Sequence, residues 1–507
     1  MASAIMLQGT SSHVGKSILA TALCRIFRQD GYKVAPFKAQ NMALNSYVTK
    51  AGGEMGRAQV AQAEAAGLEP SVDMNPVLLK PTGNSSSQVI VLGRPIGNMS
   101  AVQYHAGHSR KLLAVVEESL RKLQREYDIL VIEGAGSPAE VNLKANDIVN
   151  MRIAKLAPAP VLLIADIDRG GALASVVGTL ELLEPEERDL VKGIIINKFR
   201  GDIKLLEPAL EFLAKKTGKP VAGVIPHIGQ LGIDDEDSVS LDDKRPDAKG
   251  EVEIAVLRLP KISNFTDFDA LAAEAGVAVR YVREGEPLGR PDLVILPGSK
   301  NTTEDLLYLK QQGYDRAILR LVEQGVPVVG ICGGYQMLGC EVRDPEHTES
   351  DLDRVEGLGL LDAVTVFSPE KLTHQVTAAC SGNSFLGLNF SAGELTGYEI
   401  HMGRTEFSSP TPAAFTVTGR SGTPVEYRDG AVRTDGLVMG TYLHGIFDND
   451  DFRRAVVNAL RRRKGLTPLD VVGDTRRRKE ESYDRLAAAV RANLDMALVY
   501  DILGVQR

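Results

Sequence analysis

Short, wholly apolar runs punctuate this chain, and longer helical stretches separate them. Ile5-Met6-Leu7, Val34-Ala35-Pro36-Phe37, Ile129-Leu130-Val131-Ile132, Val161-Leu162-Leu163-Ile164 and Gly193-Ile194-Ile195-Ile196 each read as a strand, with Pro36 marking a strand end or an edge. Ser17 to Asp30 and Ser109 to Glu126 read as helices between them. A strand that is apolar on both faces must be covered on both. The alternation therefore predicts a mostly parallel sheet between helical layers.

The pattern stops at residues 232–250, a polar and strongly acidic stretch that reads as a linker, and then restarts. Glu253-Ile254-Ala255-Val256-Leu257, Leu293-Val294-Ile295-Leu296 and Val326 to Ile331 read as strands of a second α/β unit. At roughly 150 residues per domain, 507 residues leave room for both. The expected organisation is a domain over 1–231, the linker 232–250, a domain over 251–447 and a helical tail over 448–507, so the fold class is α/β with two three-layer domains. The tail carries Arg461-Arg462-Arg463-Lys464 and Arg476-Arg477-Arg478-Lys479, which read as solvated helix faces, with a local anion-binding patch as the alternative.

The first strand runs into Gly9-Thr10-Ser11-Ser12-His13-Val14-Gly15-Lys16-Ser17, and a helix follows. Strand, glycine-bearing loop and helix are the setting of a phosphate cradle. Small residues let backbone N–H groups converge on an anion, the lysine adds charge at the β and γ phosphates, and the hydroxyl can ligate Mg²⁺. The common G-x-x-x-x-G-K-[ST] spacing would put its first glycine where Thr10 stands, so this loop is one residue longer between its glycines. Gly9, Thr10, Val14, Gly15, Lys16 and Ser17 are the expected phosphate contacts. Glu133, in Glu133-Gly134-Ala135-Gly136 after a strand, is placed to share the Mg²⁺ with Ser17. Asn197, after Gly193 to Ile196, could read a nucleotide base, or simply shape a turn.

Gly330-Ile331-Cys332-Gly333-Gly334, between a strand and a helix, has the form of a nucleophile elbow carrying cysteine. The glycines permit the sharp turn, the helix N-terminus favours thiolate, and the Gly333 N–H can donate to an oxyanion. Pro297-Gly298-Ser299, another glycine loop after a strand, is expected to supply a second N–H from Gly298 or Ser299. His444 is the expected base and His401 its rival. Cys24, Cys340 and Cys380 lack such a setting and read as core residues; four cysteines in so long a chain make no disulfide framework.

The elbow resembles the class I, triad-type glutamine amidotransferases, which release ammonia from glutamine through a cysteinyl thioester. In most of them an acid lies two residues after the histidine. Here that position is Ile446 and Asp448 lies nearby, so a Cys–His pair or an acid from elsewhere is expected. The first domain resembles the dethiobiotin synthetase type of P-loop enzyme, which activates a carboxylate with ATP. Joined in this order, the two resemble the corrinoid-amidating family. Pro36 to Ser46, Gly56-Arg57-Ala58-Gln59 and Tyr398-Glu399-Ile400-His401-Met402-Gly403 point to its cobyric acid synthase branch.

That resemblance implies amidation of the b, d, e and g carboxylates of adenosylcobyrinic acid a,c-diamide in cobalamin biosynthesis, with ATP, Mg²⁺ and L-glutamine as nitrogen donor. It implies Lys38 near the γ-phosphate. Glu54 is a further Mg²⁺ candidate, Asn41 and Asn45 are read as corrinoid contacts, and Gly83 to Ser87 as a candidate for the polar rim of that site. An a,c-diamide synthase-type amidase is the nearest alternative. A regulatory or partitioning P-loop ATPase with an inactive amidotransferase-like module is the other. The formal charge of −8 argues against general nucleic-acid binding. No apolar run is long enough to span a bilayer, and no signal peptide is evident, so a cytoplasmic location is expected. A homo-oligomer is compatible with the sequence.

Overall fold

The computed structural model describes residues 2–83, 86–104, 109–229, 231–234, 241, 250–380, 385–388, 393–470 and 473–505. Most of the expected linker 232–250 lies outside these, as do Asn84 and Ser85 of the candidate polar rim.

Among the described residues, the N-terminal half is built on a six-stranded sheet in the order Val221–Pro226, Val191–Phe199, Val161–Asp166, Ser3–Gly9, Ile129–Glu133, Val34–Phe37. All neighbours are parallel. Every apolar run singled out in this half lies in it, and Ile5, Met6 and Leu7 are fully buried. The first strand sits between strands reached from opposite directions, the arrangement that opens a crevice at strand C-termini. The loop Thr10–Gly15 leaves from that point, ahead of the helix Lys16–Gln29.

The second half has a sheet in the order Val277–Val282, Val252–Leu257, Leu293–Leu296, Val328–Ile331, Val438–Thr441, parallel except for the short edge strand Ala431–Val432. Among the described residues, besides two two-stranded pairings, two larger sheets have no counterpart among the expected strands. One is a small sheet of Gln40–Met42, Val77–Pro81, Ser86–Val91 and Arg94–Ser100. The other is a mostly antiparallel sheet built around the long strands Ala363–Cys380 and Leu395–Phe407, and it ends on Leu443–His444. Their sequences mix polar and apolar residues because one face is partly solvated, so they lack the apolar runs that mark buried parallel strands.

The tail divides. Helix Asp450–Arg463 packs Phe452, Val456, Val457 and Leu460 into the core of the second half. Helices Thr475–Asn493 and Met496–Leu503 return to the first half. There Tyr483, Leu486, Val490 and Val499 share one apolar cluster with Leu19, Leu23 and Phe27. The expectation of solvated basic faces is corrected at two positions. Arg461 is buried and paired to Glu251 at 2.6 Å, and Lys479 reaches Asp234 at 3.2 Å beside an Arg57–Asp234 pair at 2.8 Å. Arg477 remains exposed. No helix among the described residues is long and apolar enough to cross a membrane.

Candidate active site

Cys332 follows the strand Val328–Ile331 and caps the helix Gly333–Leu338 with φ 52° and ψ −109°, a conformation costly for any residue but glycine. The turn is held because its glycines admit the surrounding backbone. A Cβ on Gly334 would collide with the Leu296 carbonyl, and one on Gly330 would come within 2.6 Å of the Gly334 carbonyl. The Cys332 N–H donates to Thr441 O at 2.8 Å, tying the elbow to the strand that leads to His444.

His444 is fully buried. Its Nδ1 lies 2.6 Å from Asp267 Oδ2, and the Gly445 N–H donates to the other carboxylate oxygen at 3.0 Å. This fixes the ring with Nε2 toward the Cys332 thiol, and Tyr398 stacks on it at 5.2 Å. Burial alone would push the imidazole down. The Asp267 carboxylate overrides it, with a smaller contribution from Cys332, and the His444 pKa is raised to about 10. The acid is thus Asp267, from the short turn Phe265–Phe268. It precedes the histidine by 177 residues and carries no local motif. Asp448 lies instead among Lys479, Arg57 and Asp234, where burial raises its pKa to about 6. His401, the rival base, lines the same pocket, but its Nδ1 bonds the Gly403 carbonyl at 2.8 Å and its ring stacks on Tyr442 at 3.8 Å.

Gly298–Ser299 pairs with Ile262–Ser263. The Ser299 nitrogen would lie 2.9 Å from a Cβ on Gly333, so Ser299 and Gly333 present neighbouring N–H groups. Gly298 itself adjoins the histidine: a Cβ there would come within 3.1 Å of His444 Cε1. Ser299 Oγ donates to Asp305 at 2.6 Å and anchors the loop.

At the other site Lys16 Nζ donates to the carbonyls of Ser11 at 3.0 Å and Gly136 at 3.1 Å, folding over its own loop. Gly15 sits at φ 98°, and the Thr10 N–H is tied to Ile164 O at 2.9 Å. A Cβ on Gly9 would come within 2.6 Å of Val14 Cγ2 and 3.0 Å of Lys16 Nζ, so the extra loop residue leaves Gly9 packed where only glycine fits. Glu133 Oε1 accepts from Ser17 Oγ at 2.8 Å and Lys38 Nζ at 2.7 Å, and Glu133 Oε2 accepts from Gln62 at 2.6 Å. Asn197 Nδ2 donates to the Val14 carbonyl at 2.7 Å and so braces the loop. That amide donor is spent on the protein, which does not support base reading through it.

Two expectations are corrected. Glu54 is not a ligand beside Ser17: it is fully buried, with Lys80 on one carboxylate oxygen at 2.7 Å and Lys371 on the other at 2.6 Å. Asn41 and Asn45 do not face an open substrate site. Asn41 is 2% exposed and donates to Gln59, and Asn45 is 0% exposed and accepts from Thr266 Oγ1 at 3.3 Å. Asn45 and Ser46 instead brace the turn that carries Asp267, for Asn264 Oδ1 accepts from the Ser46 N–H at 3.0 Å. Glycine turns after strands advertised the elbow and the cradle. Gln62 and Asp267 had no such signal.

Residues 5–236 match a CobQ/CobB/MinD/ParA nucleotide binding domain, and residues 253–452 a CobB/CobQ-like glutamine amidotransferase domain. Along its whole length the chain is 62% identical to the cobyric acid synthase of Pelotomaculum thermopropionicum, covering 97% of that protein. It is 58% identical to that of Moorella thermoacetica, covering 98%. The chain belongs to the cobyric acid synthase family. Both halves of a cobyric acid synthase are therefore present, which sets aside the partitioning-ATPase alternative. No group of three or more His, Cys, Asp and Glu side chains that could hold a metal occurs among the described residues. Ser17 Oγ and Glu133 Oε1 nevertheless form a pair of hard oxygen donors at the cradle, which suits Mg²⁺ completed by water and phosphate oxygens.

Proposed function

We propose that this chain catalyses the cobyric acid synthase reaction: ATP- and glutamine-dependent amidation of the b, d, e and g carboxylates of adenosylcobyrinic acid a,c-diamide. The observation that carries the reading is the line Asp267–His444–Cys332. A buried histidine, oriented at 2.6 Å by a carboxylate, faces a cysteine on a strained elbow, in a chain that also holds a phosphate cradle.

Cys332 Sγ attacks the side-chain amide carbon of glutamine. His444 takes the thiol proton at Nε2, held in that tautomer by Asp267, and passes it to the departing ammonia. The raised imidazole pKa suits a group that must hold this proton until the C–N bond breaks. The N–H groups of Gly333 and Ser299 receive the oxyanion, and water then cleaves the thioester to glutamate.

In the other half, a corrinoid carboxylate takes the γ-phosphoryl group of ATP. Ammonia displaces phosphate from the acyl phosphate to leave the amide. Lys16 and Lys38 neutralise the phosphoryl charge, and Glu133 holds Lys38 and Ser17 in place. Mg²⁺, where bound by Ser17 and Glu133, supplies further charge neutralisation at the phosphates.

The test is product mass after incubation with adenosylcobyrinic a,c-diamide, ATP, Mg²⁺ and glutamine. Four successive conversions of carboxylate to amide are expected. An unchanged corrinoid from a preparation that a known cobyric acid synthase converts would refute the reading. Cys332→Ala should lose conversion with glutamine and keep it with ammonium. Loss of both would contradict the division of labour.

A further inference from the structure

The pocket that holds Cys332 and His444 carries more charge than thiol chemistry uses. Lys80, Lys300, Lys371 and Glu349 also line it. Two of these lysines are accounted for, since Lys80 and Lys371 both bind Glu54. Lys300 is different. It is 9% exposed, and its ammonium makes no ion pair or hydrogen bond to any described residue. Burial pushes its pKa down, opposed first by Glu349, and Cys332 is close enough to contribute.

Glu349 commits one carboxylate oxygen to the Thr302 N–H at 2.9 Å, and its own carbonyl accepts from Asn301 at 3.2 Å. Burial raises its carboxyl to about 7, with Lys300 opposing. A buried lysine and a half-buried carboxylate therefore line one pocket without forming an ion pair to each other. Each bears a desolvation cost that direct pairing would offset. A ligand with a carboxylate and an ammonium of its own would offset both.

Building on the amidotransferase reading above, we infer that Lys300 binds the α-carboxylate and Glu349 the α-ammonium of free glutamine, whose side-chain amide reaches Cys332. Lys300 follows Ser299, whose N–H adjoins Gly333. One loop thus carries both an oxyanion donor and the anchor for the far end of the substrate. Recognition of the zwitterion admits the free amino acid and rejects glutamine whose α-groups are blocked, including glutamine within a peptide. Lys300 and Glu349 are specificity-determining residues on this reading.

The test uses the full-length chain and three amides: L-glutamine, L-glutaminamide, which lacks the carboxylate, and glutaramate, which lacks the amine. Lys300→Met should raise the KM for glutamine roughly 10- to 100-fold, the loss of one charge-assisted hydrogen bond, with kcat near wild type. Hydrolysis of glutaminamide should be unchanged by it. Glu349→Gln should weaken glutamine in the same way and leave glutaramate unchanged. Equal losses on glutamine and glutaminamide, or a shifted pH dependence of Cys332 alkylation by iodoacetamide in Lys300→Met, would instead make Lys300 an electrostatic partner of the nucleophile and overturn the inference. Should Lys300→Met fail to fold, Lys300→Gln carries the same comparison.

Calorimetric titration of glutamine into the Cys332→Ala chain separates the two readings. If Lys300→Met weakens glutamine binding in the Cys332→Ala background while the wild-type chain hydrolyses no glutamine, the amidotransferase reading falls and this one stands. Binding that Lys300→Met leaves intact sinks this one alone. Absence of binding sinks both.

Discussion

On the proposed mechanism the thiol chemistry turns on Asp267, whose carboxylate meets His444 Nδ1 at 2.6 Å and raises the imidazole pKa. Asp267→Asn keeps the shape but donates where it should accept. Loss of the orienting acid in a triad costs about 10⁴-fold in kcat. A fall of roughly 10²- to 10⁴-fold in glutaminase kcat is therefore expected, with ammonium-driven amidation retained; steady-state assays with each nitrogen source decide it. The same pair governs a stability term. The folded pKa of His444 lies above its ordinary 6.5, so the stabilisation is fully present below pH 6.5 and is lost as the pH rises through about 10. Asp267→Asn should flatten Tm against pH over that window. An unchanged slope would show that this pair does not contribute.

At the scale of elements, the strand–turn–helix unit is used twice, and in both places backbone contact sets the geometry. Gly334 packs against the Leu296 carbonyl and Gly440 against the ring of Tyr335. Gly334→Ala must push the helix Gly333–Leu338 away from the end of the strand Leu293–Leu296. It should cost about 1–3 kcal/mol, as overpacking does, and should remove glutaminase activity while the phosphate half still works. Urea denaturation alongside ammonium-driven amidation measures both. In the cradle, Lys16→Ala should abolish amidation with either nitrogen source and leave glutamine hydrolysis at least partly intact. Amidation that persisted undiminished would remove Lys16 from the mechanism. The segment Asn41–Ser46 links the units. Asn41 meets Gln59, which reaches Glu133 at 3.5 Å, while Asn45 and Ser46 meet the turn that carries Asp267.

Across the whole molecule, ion pairs and hydrogen bonds hold the returning tail to the first half. Arg57 from the first half and Lys479 from the tail converge on Asp234, and Tyr483 donates to Glu64 at 2.7 Å. Removing one partner of a buried pair leaves an uncompensated charge, which costs about 3–5 kcal/mol. Arg57→Met should destabilise the chain by that order in chemical denaturation. Lys479 remains on Asp234, so the lower end of the range is expected. A loss below about 1 kcal/mol would place this pair with weak surface bridges.

By itself the sequence determined the two parallel sheets, the phosphate cradle and the cysteine elbow. Each is written in contiguous residues: apolar runs force burial on both faces, and glycines mark where backbone must pass close to backbone. It also carried His444, in a glycine-rich strand end. Tertiary structure alone decided the acid of the triad, because a hydrogen bond between residues 267 and 444 depends on two loops meeting and on nothing local. It decided that Glu54 lies between two lysines and that Asn45 faces Thr266, since burial and partners belong to the packed molecule. It decided the antiparallel sheet, whose half-solvated strands carry little hydrophobic signal. It also decided where the tail goes: the helix around Tyr483 buries its apolar side against Leu23 and Phe27, far back in the chain, because that is where an uncovered face of the first sheet's helical layer remained.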